Sequence, residues 1–123
     1  MSQNPNSFPT HVEMIDAIMP VSDLALAIQF YTEKLGFTAA DWSTDDFTQV
    51  GLGGYGLYLS LHQGTPGEGW IWIGVGDVRA LHELYESRGV RIAMAPTNTP
   101  WALELRVRDQ DGNTIRFGSD PDV

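Results

Sequence analysis

The chain has no cysteine, and it has only 7 lysine and arginine residues against 16 aspartate and glutamate residues. Without cysteine there is no disulfide framework, no thiol nucleophile and no thiolate metal site. The formal net charge of −9 argues against nucleic acid or an anionic membrane as a partner. The acidity suits a cationic ligand, but an acidic surface also serves solubility alone, and both interpretations stay open here.

Long apolar runs are also missing, so no segment of the sequence is predicted to cross a membrane. The first six residues (MSQNPN) lack the basic and apolar regions of a signal peptide, which makes cytoplasmic residence the expectation. The glycines between residues 51 and 56 suit a hairpin turn and do not form a phosphate-binding loop. A length of 123 residues predicts a single domain over residues 1–123.

The two halves of the chain repeat one pattern. VSDL at residues 21–24 and VGDV at residues 75–78 each place an aspartate where it can cap a helix. Helices are predicted over about residues 24–35 and from Asp77 to Arg88, each ended by a glycine. Strands are predicted at Ile15–Val21, Phe37–Ser43, Phe47–Leu52, Tyr55–His62, Trp70–Val75, Val90–Ala95, Ala102–Val107 and Asn113–Gly118.

This order predicts an α+β fold made of two tandem β-α-β-β-β modules, over about residues 12–62 and 70–118. Residues 1 to about 11 are predicted to form a loose arm, and Pro96–Pro100 a rigid loop. Equivalent positions of two such modules can converge on one cleft, which makes the cleft-facing side chains of each strand the candidates for function.

Three motifs carry a resemblance to a known family: PVSDL at residues 20–24, FY followed by LGF within residues 30–37, and VRD followed by DGN and Phe within residues 107–117. Together they resemble the vicinal oxygen chelate superfamily, which includes glyoxalase I, extradiol dioxygenases, and fosfomycin and bleomycin resistance proteins. The resemblance covers about residues 15–118 and implies the glyoxalase/bleomycin resistance fold, in which the two modules form a curved mixed sheet.

Within that superfamily the sequence is most similar to the bleomycin-binding resistance proteins, on the residues Asp45-Asp46-Phe47, Trp70 and Trp72, and Pro100-Trp101. The resemblance implies a homodimer that sequesters a bleomycin-type antibiotic in two clefts at the dimer interface, without a cofactor. It also suggests that the arm or first strand is exchanged between subunits, which the sequence leaves open.

The metal-dependent relatives have ligands at positions that correspond to Asp16, Tyr58, Trp70 and Arg116 in this chain. An indole cannot bind a metal ion and a guanidinium repels one, so no metal site and no catalytic residue are expected. Two alternatives stay open. One is a metal-dependent lyase, isomerase or dioxygenase that uses Asp16, His62 and Glu104, and the other is a binding protein for a different small molecule.

Strand alternation places Tyr58, Trp70 and Trp72 on the cleft side, where a planar ligand could stack on their rings. Trp70 or Trp72 could equally pack at a dimer interface. Acidic side chains near the cleft are expected to meet cationic groups of the ligand. Arg116 could bind an anionic or carbonyl group of the ligand, and the favoured expectation is that it pairs with Glu104 or Asp16. The predicted ligand-binding residues are Phe47, Tyr58, Ser60, His62, Trp70, Trp72, Trp101, Asp45, Asp46, Glu104 and Arg116, with Trp42 near the edge.

Overall fold

The structure is a computed structural model and describes residues 7–122. The first module contains strand β1, helix α1 and strands β2 to β4, and the second contains strand β5, helix α2 and strands β6 to β8. The strands are β1 Ala17–Pro20, β2 Thr38–Ser43, β3 Phe47–Leu52, β4 Tyr55–Ser60, β5 Trp70–Gly74, β6 Arg91–Asn98, β7 Leu103–Arg108 and β8 Thr114–Ser119; the helices are α1 Leu24–Gln29 and α2 Val78–Ser87.

Each module forms its own mixed sheet of four strands, in the orders β1-β4-β3-β2 and β5-β8-β7-β6. The first strand of each module lies parallel to the last, and the other pairs are antiparallel. The α+β class and the repeated module are therefore confirmed. The single curved sheet is not, because strands β1 to β4 and β5 to β8 pair only within their own modules in the described part of the chain.

The helices begin where the sequence predicts. The Asp23 carboxylate accepts a hydrogen bond from the Leu26 amide at 2.9 Å, and the Asp77 carboxylate accepts one from the Ala80 amide at 3.0 Å. These contacts satisfy amide groups that a first helical turn leaves without partners. After α1 the chain continues as one π-helical segment, Phe30–Lys34, and Gly36 then turns it with a positive φ of 91°.

The predicted loop at Pro96–Pro100 is wrong, because β6 continues through Pro96 to Asn98. This strand lies at the edge of its sheet and pairs only with β7, with a register shift between Met94 and Thr97. An edge strand tolerates proline, because the missing amide would have no neighbour to bond.

Alternate strand residues form the core between the sheets and their helices. In the second sheet Leu103, Leu105 and Val107 of β7 are buried there with Ile115 and Phe117 of β8. The intervening residues of the same strands lie on the opposite face, which no helix covers. The structure therefore has two sheet faces free of helices, one in each module.

Alternation with the buried Met19 would place Ala17 in the core, but Ala17 is exposed. It begins edge strand β1 and lines a cavity together with Ile71 and Ile73 of the other edge strand, β5. No helix covers this gap between the two edges, so the alternation of β1 does not bury its first residue.

A buried polar network joins the two modules. The Tyr31 hydroxyl of the π-helical segment donates to the Asp109 carboxylate at 2.7 Å. The Asn113 side chain donates to the same carboxylate and to the Pro20 carbonyl, at 2.9 and 2.7 Å, and it accepts from the amides of Gly67 and Gly69 at 2.9 Å each. Burial, followed by the neighbouring Asp109, raises the pKa of Tyr31, so its hydroxyl stays a proton donor. We call Tyr31, Asp109 and Asn113 the clasp.

Residues 7–11 contain no helix or strand, in agreement with the predicted arm, whose first six residues lie outside the described part of the chain. The strand predicted from Ile15 begins two residues later, at Ala17. Neither helix, α1 nor α2, has the length and apolar character that crossing a membrane requires.

Candidate functional site

The first helix-free face belongs to strands β1, β3 and β4, and we call it the first face. Register pairs Ile18 with Tyr58 and Tyr58 with Gln49, so these three side chains lie side by side across it. Phe47 and Ser60 form the next pair. Because Thr48, Val50, Leu57 and Leu59 point into the core, the side chains of Phe47, Gln49 and Tyr58 point away from it.

Three aromatic rings cluster on the first face. The ring centroids of Trp42 and Phe47 lie 5.5 Å apart in an edge-to-face arrangement, and Tyr58 lies 6.4 and 6.1 Å from them. Ile18, Phe47, Tyr58 and Ser60 line a shared cavity here. Phe47, Tyr58, Ser60 and Trp42, which the sequence analysis named, therefore lie near one another on the first face.

The predicted polar residues of the first module lie at one end of this face. The His62 ring nitrogen Nε2 and an Asp46 carboxylate oxygen are 3.1 Å apart, and both side chains are exposed. The Ser60 hydroxyl accepts a 3.3 Å hydrogen bond from the His62 backbone amide, while Asp45 is exposed in the preceding turn. The Ser60 hydroxyl thus contacts the His62 backbone amide, whereas a serine nucleophile activated by histidine would need a hydrogen bond to the imidazole ring.

The second helix-free face belongs to strands β5 to β8, and we call it the second face. Its centre is the Arg116 guanidinium, whose carbon lies 5.8 Å from the ring centroid of Trp70 and 5.3 Å from that of Trp72. Both distances are within the range of a cation–π contact. The Trp72 ring lies against Gly118, where an added Cβ atom would overlap the indole.

Glu104 lies beneath these groups and is 1% exposed. Its carboxylate accepts hydrogen bonds from Arg116 at 2.9 and 3.0 Å, and from the Nε atom of Arg106. The hydrogen bond from Arg116 is the main cause that lowers the pKa of Glu104, against the opposing effect of desolvation. The pairing predicted for Arg116 is therefore found with Glu104. A free Glu104 that meets a cationic ligand is not found, because two guanidinium groups already surround it.

Trp101 lies at the end of the second face, in the turn before β7, and is exposed. It lines a cavity with Trp72, Gly118 and Asp120. The structure thus gathers Trp70, Trp72, Trp101, Glu104 and Arg116 on the second face. Phe47, Tyr58 and Ser60 of the first module line a different cavity, so one subunit does not unite all the predicted residues in a single cleft.

The three side chains of the alternative metal-ligand set, Asp16, His62 and Glu104, each have another partner. Asp16 accepts a hydrogen bond from the Gln49 side chain at 2.8 Å, His62 contacts Asp46, and Glu104 contacts the two arginines. Over residues 7–122 no group of three or more His, Cys, Asp or Glu side chains is placed to hold a metal ion. The alternative ligand set of Asp16, His62 and Glu104 is therefore not assembled in this subunit.

Sequence reasoning missed the basic side chains on the second face. Arg106 and Arg108 alternate along β7 with the buried Leu105 and Val107, and Arg106 lies directly opposite Arg116. The same alternation that identified Trp70 and Trp72 would have identified them, because period-two burial is visible in LELRVR.

Comparison with known proteins identifies the family. Residues 10–117 match the model of the Glyoxalase/Bleomycin resistance protein/Dioxygenase superfamily, so the chain belongs to this superfamily. No curated protein sequence matches the chain.

Several solved structures share the fold. TnmS3, an antibiotic binding protein from Streptomyces sp. CB03234, is 31% identical with a TM-score of 0.76, over 90% of this chain and 96% of that one. A glyoxalase/bleomycin resistance protein from the same organism is 32% identical with a TM-score of 0.73, over 84% and 96% of the two chains. A superfamily member from Sphaerobacter thermophilus DSM 20745, at 24% identity, has a TM-score of 0.78 over 89% and 98%, and this likeness concerns the fold.

Proposed function

We propose that this protein is a non-catalytic binding protein that sequesters a planar aromatic antibiotic, with a bleomycin-type glycopeptide as the first candidate. One observation carries the proposal: all four tryptophans are solvent-exposed, Trp42 by 39%, Trp70 by 63%, Trp72 by 44% and Trp101 by 72%. The similarity to an antibiotic binding protein at 31% identity supports it.

Exposed indole rings are costly for a protein that does not use them, because burying an aromatic side chain is among the largest favourable contributions to folding. Here the rings lie on sheet faces, held in place by neighbours: Trp72 over Gly118, and Trp42 against Phe47. A preformed aromatic surface that ends in polar groups suits a planar ligand, which can stack without reorganising the protein.

A second copy of the chain completes the site in this proposal. Each face is open to solvent in one subunit, and the two faces line separate cavities. If the first face of one copy lies opposite the second face of another, a homodimer forms two equivalent clefts, each with tryptophans on both walls. The ligand would then be enclosed between Trp42 with Phe47 on one side and Trp70 with Trp72 on the other.

Sequestration requires tight reversible binding and no chemistry. Affinity in this mechanism comes from buried aromatic area and stacking, with each good aromatic pair adding ~0.5–1.5 kcal/mol beyond area burial. The exposed carboxylates of Asp45 and Asp46 at the end of the first face would attract the cationic groups of a bleomycin-type ligand.

The first test is a titration of the purified protein with metal-free bleomycin, followed by tryptophan fluorescence and by calorimetry. Saturable quenching with about one ligand per chain would support the proposal, and sedimentation would show whether the binding species is a dimer. Absence of both heat and quenching would remove bleomycin as the ligand and shift attention to other aromatic antibiotics.

Replacing Trp101 tests the stacking role. For a ligand that saturates the native protein, Trp101→Ala should raise the dissociation constant by about tenfold or more, because it removes a stacking surface. The side chain is exposed, so its loss does not open the core. Leu26→Ala is the control, since Leu26 is a 55% exposed apolar residue on helix α1, away from both faces. Equal affinities of the two variants, measured by calorimetry, would refute the role of Trp101.

A further inference from the structure

The second face concentrates positive charge in an acidic chain. Of the 7 basic residues in the sequence, four lie on this face: Arg91, Arg106, Arg108 and Arg116. Glu104 is the only carboxylate among them on strands β6 to β8, so the face has three positive charges in excess. This local charge is opposite in sign to the net charge of −9 for the whole chain.

The arginines are arranged in a way that does not favour folding. Register places Arg106 directly opposite Arg116, and Arg91 directly opposite Arg108. Like charges directly opposite each other on neighbouring antiparallel strands are destabilising. Glu104 compensates only the first pair. The hydrogen bonds of Arg116 to Glu104 and of Arg108 to the β7–β8 turn contribute to the fold, but they leave three of the four positive charges without a compensating carboxylate.

Arg106 has free hydrogen-bonding capacity. Its Nε atom donates to Glu104, and its two terminal nitrogens have no hydrogen-bond partner within residues 7–122. Its side chain is 42% exposed, and it neighbours Arg116, which lies between the two tryptophan rings. Arg108 donates only to the Gly112 carbonyl and the Thr114 hydroxyl, which leaves its charge uncompensated in the same described residues.

We propose that the second face binds an acidic oxygen group, a carboxylate or an ionised phenol, carried by the planar ligand that stacks on Trp70 and Trp72. Arg106 makes the principal contact, because a guanidinium presents paired donors that match two oxygen atoms. Arg116 has a positioning role on the second face, because its guanidinium is already hydrogen-bonded to the Glu104 carboxylate. This inference rests on the proposed sequestration of a planar aromatic antibiotic, and it favours an acidic planar antibiotic over the cationic bleomycin type.

The test compares two probes with the same ring system and opposite charge, pyrene-1-acetate and 1-pyrenemethylammonium. Binding is followed by energy transfer from tryptophan to pyrene at low and moderate ionic strength. The native protein should bind the carboxylate at least about tenfold more tightly than the ammonium compound, as expected for one charge-assisted hydrogen-bonded contact. The net charge of the chain would favour the opposite order, so this result would identify a local site.

Two variants with equal change in net charge locate the effect. Arg106→Gln should reduce the selectivity for pyrene-1-acetate to about one, whereas Arg79→Gln should leave it unchanged, because Arg79 pairs with Asp122 away from the face. Equal effects of the two variants on this selectivity would overturn the proposal. The proposal would also be overturned if Arg106→Gln, but not Arg79→Gln, caused a dimer of the protein to dissociate. Equal binding of both probes would also overturn it and leave aromatic sequestration standing. Binding of neither would refute the stacking surface as well.

Discussion

Removing the Asn113 side chain should reveal how much the clasp contributes to stability. Asn113 is fully buried, and its amide group makes four hydrogen bonds, to the Pro20 carbonyl, to Asp109, and to the amides of Gly67 and Gly69. Asn113→Ala deletes all four. Because Pro20 belongs to the first module and Asp109 to the second, the deletion loosens the contact between modules as well as a local turn.

The magnitude follows from where the partners lie. Pro20 and Asp109 are buried, so each lost bond leaves a buried group with one partner fewer, at a cost of ~1–2 kcal/mol. The amides of Gly67 and Gly69 are partly exposed and can bond to water, so their loss costs about 0.5 kcal/mol each. The free energy of unfolding should therefore fall by about 3–5 kcal/mol, a large part of the ~5–15 kcal/mol typical of a domain.

Urea unfolding, followed by far-UV circular dichroism, measures this change as a shift in midpoint at constant slope. Ser22→Ala is the matched control, because Ser22 also bonds across the modules, to Asp111, but on the exposed surface. Ser22→Ala should lower the free energy of unfolding by less than about 1 kcal/mol. If the two variants differ by less than about 1 kcal/mol, the clasp does not hold the modules together in the way described.

Two further predictions concern the second face. The pKa of Glu104 is lowered in the folded protein, so its carboxylate stabilises the fold above the unfolded pKa, and that stabilisation is lost as pH falls through the folded value. The stability difference between native protein and Glu104→Gln should therefore be largest near neutral pH and shrink on acidification, in urea titrations at several pH values; a constant difference would contradict this. Gly118→Ala should displace the Trp72 indole, shift tryptophan emission and weaken ligand binding by about tenfold, as one stacking contact is lost. Gly74→Ala, opposite Gly118 on β5, has open space for the added methyl and should leave the tryptophan emission unchanged; a matching shift in emission would refute the packing argument.

Local patterns predicted the local structure well. Strand β3 begins and ends at the predicted residues, and both helices begin after the predicted capping aspartates, because alternation and capping depend on neighbours along the chain. The prediction failed at Pro96, where the outcome depends on β6 being an edge strand. Edge position follows from the order of strands in the sheet, which no local window of sequence contains.

The site was predicted in part for the same reason. Alternation placed Trp70, Trp72 and Tyr58 on open faces. The pairing of Arg106 with Arg116 depends on the register of β7 against β8, which is set by the turn between them. The contact of Tyr31 with Asp109 joins residues 78 positions apart, so it required the two modules to be placed against each other.

The placement of the clasp explains how the fold leaves room for binding. The motif that carries the family resemblance, VRD followed by DGN, provides Asp109 and Asn113, and these bond to Tyr31, Pro20 and the linker. None of those bonds uses a side chain of the first or second face. Stability between modules and ligand chemistry are therefore assigned to different residues of the same short segments: Val107 and Ile115 pack inward, while Arg108 and Arg116 point outward. In the proposed function, substitutions at the outward positions can change which ligand binds without weakening the clasp. The motif that identifies the family therefore carries no information about the ligand, which depends on the tryptophans and arginines of the two faces.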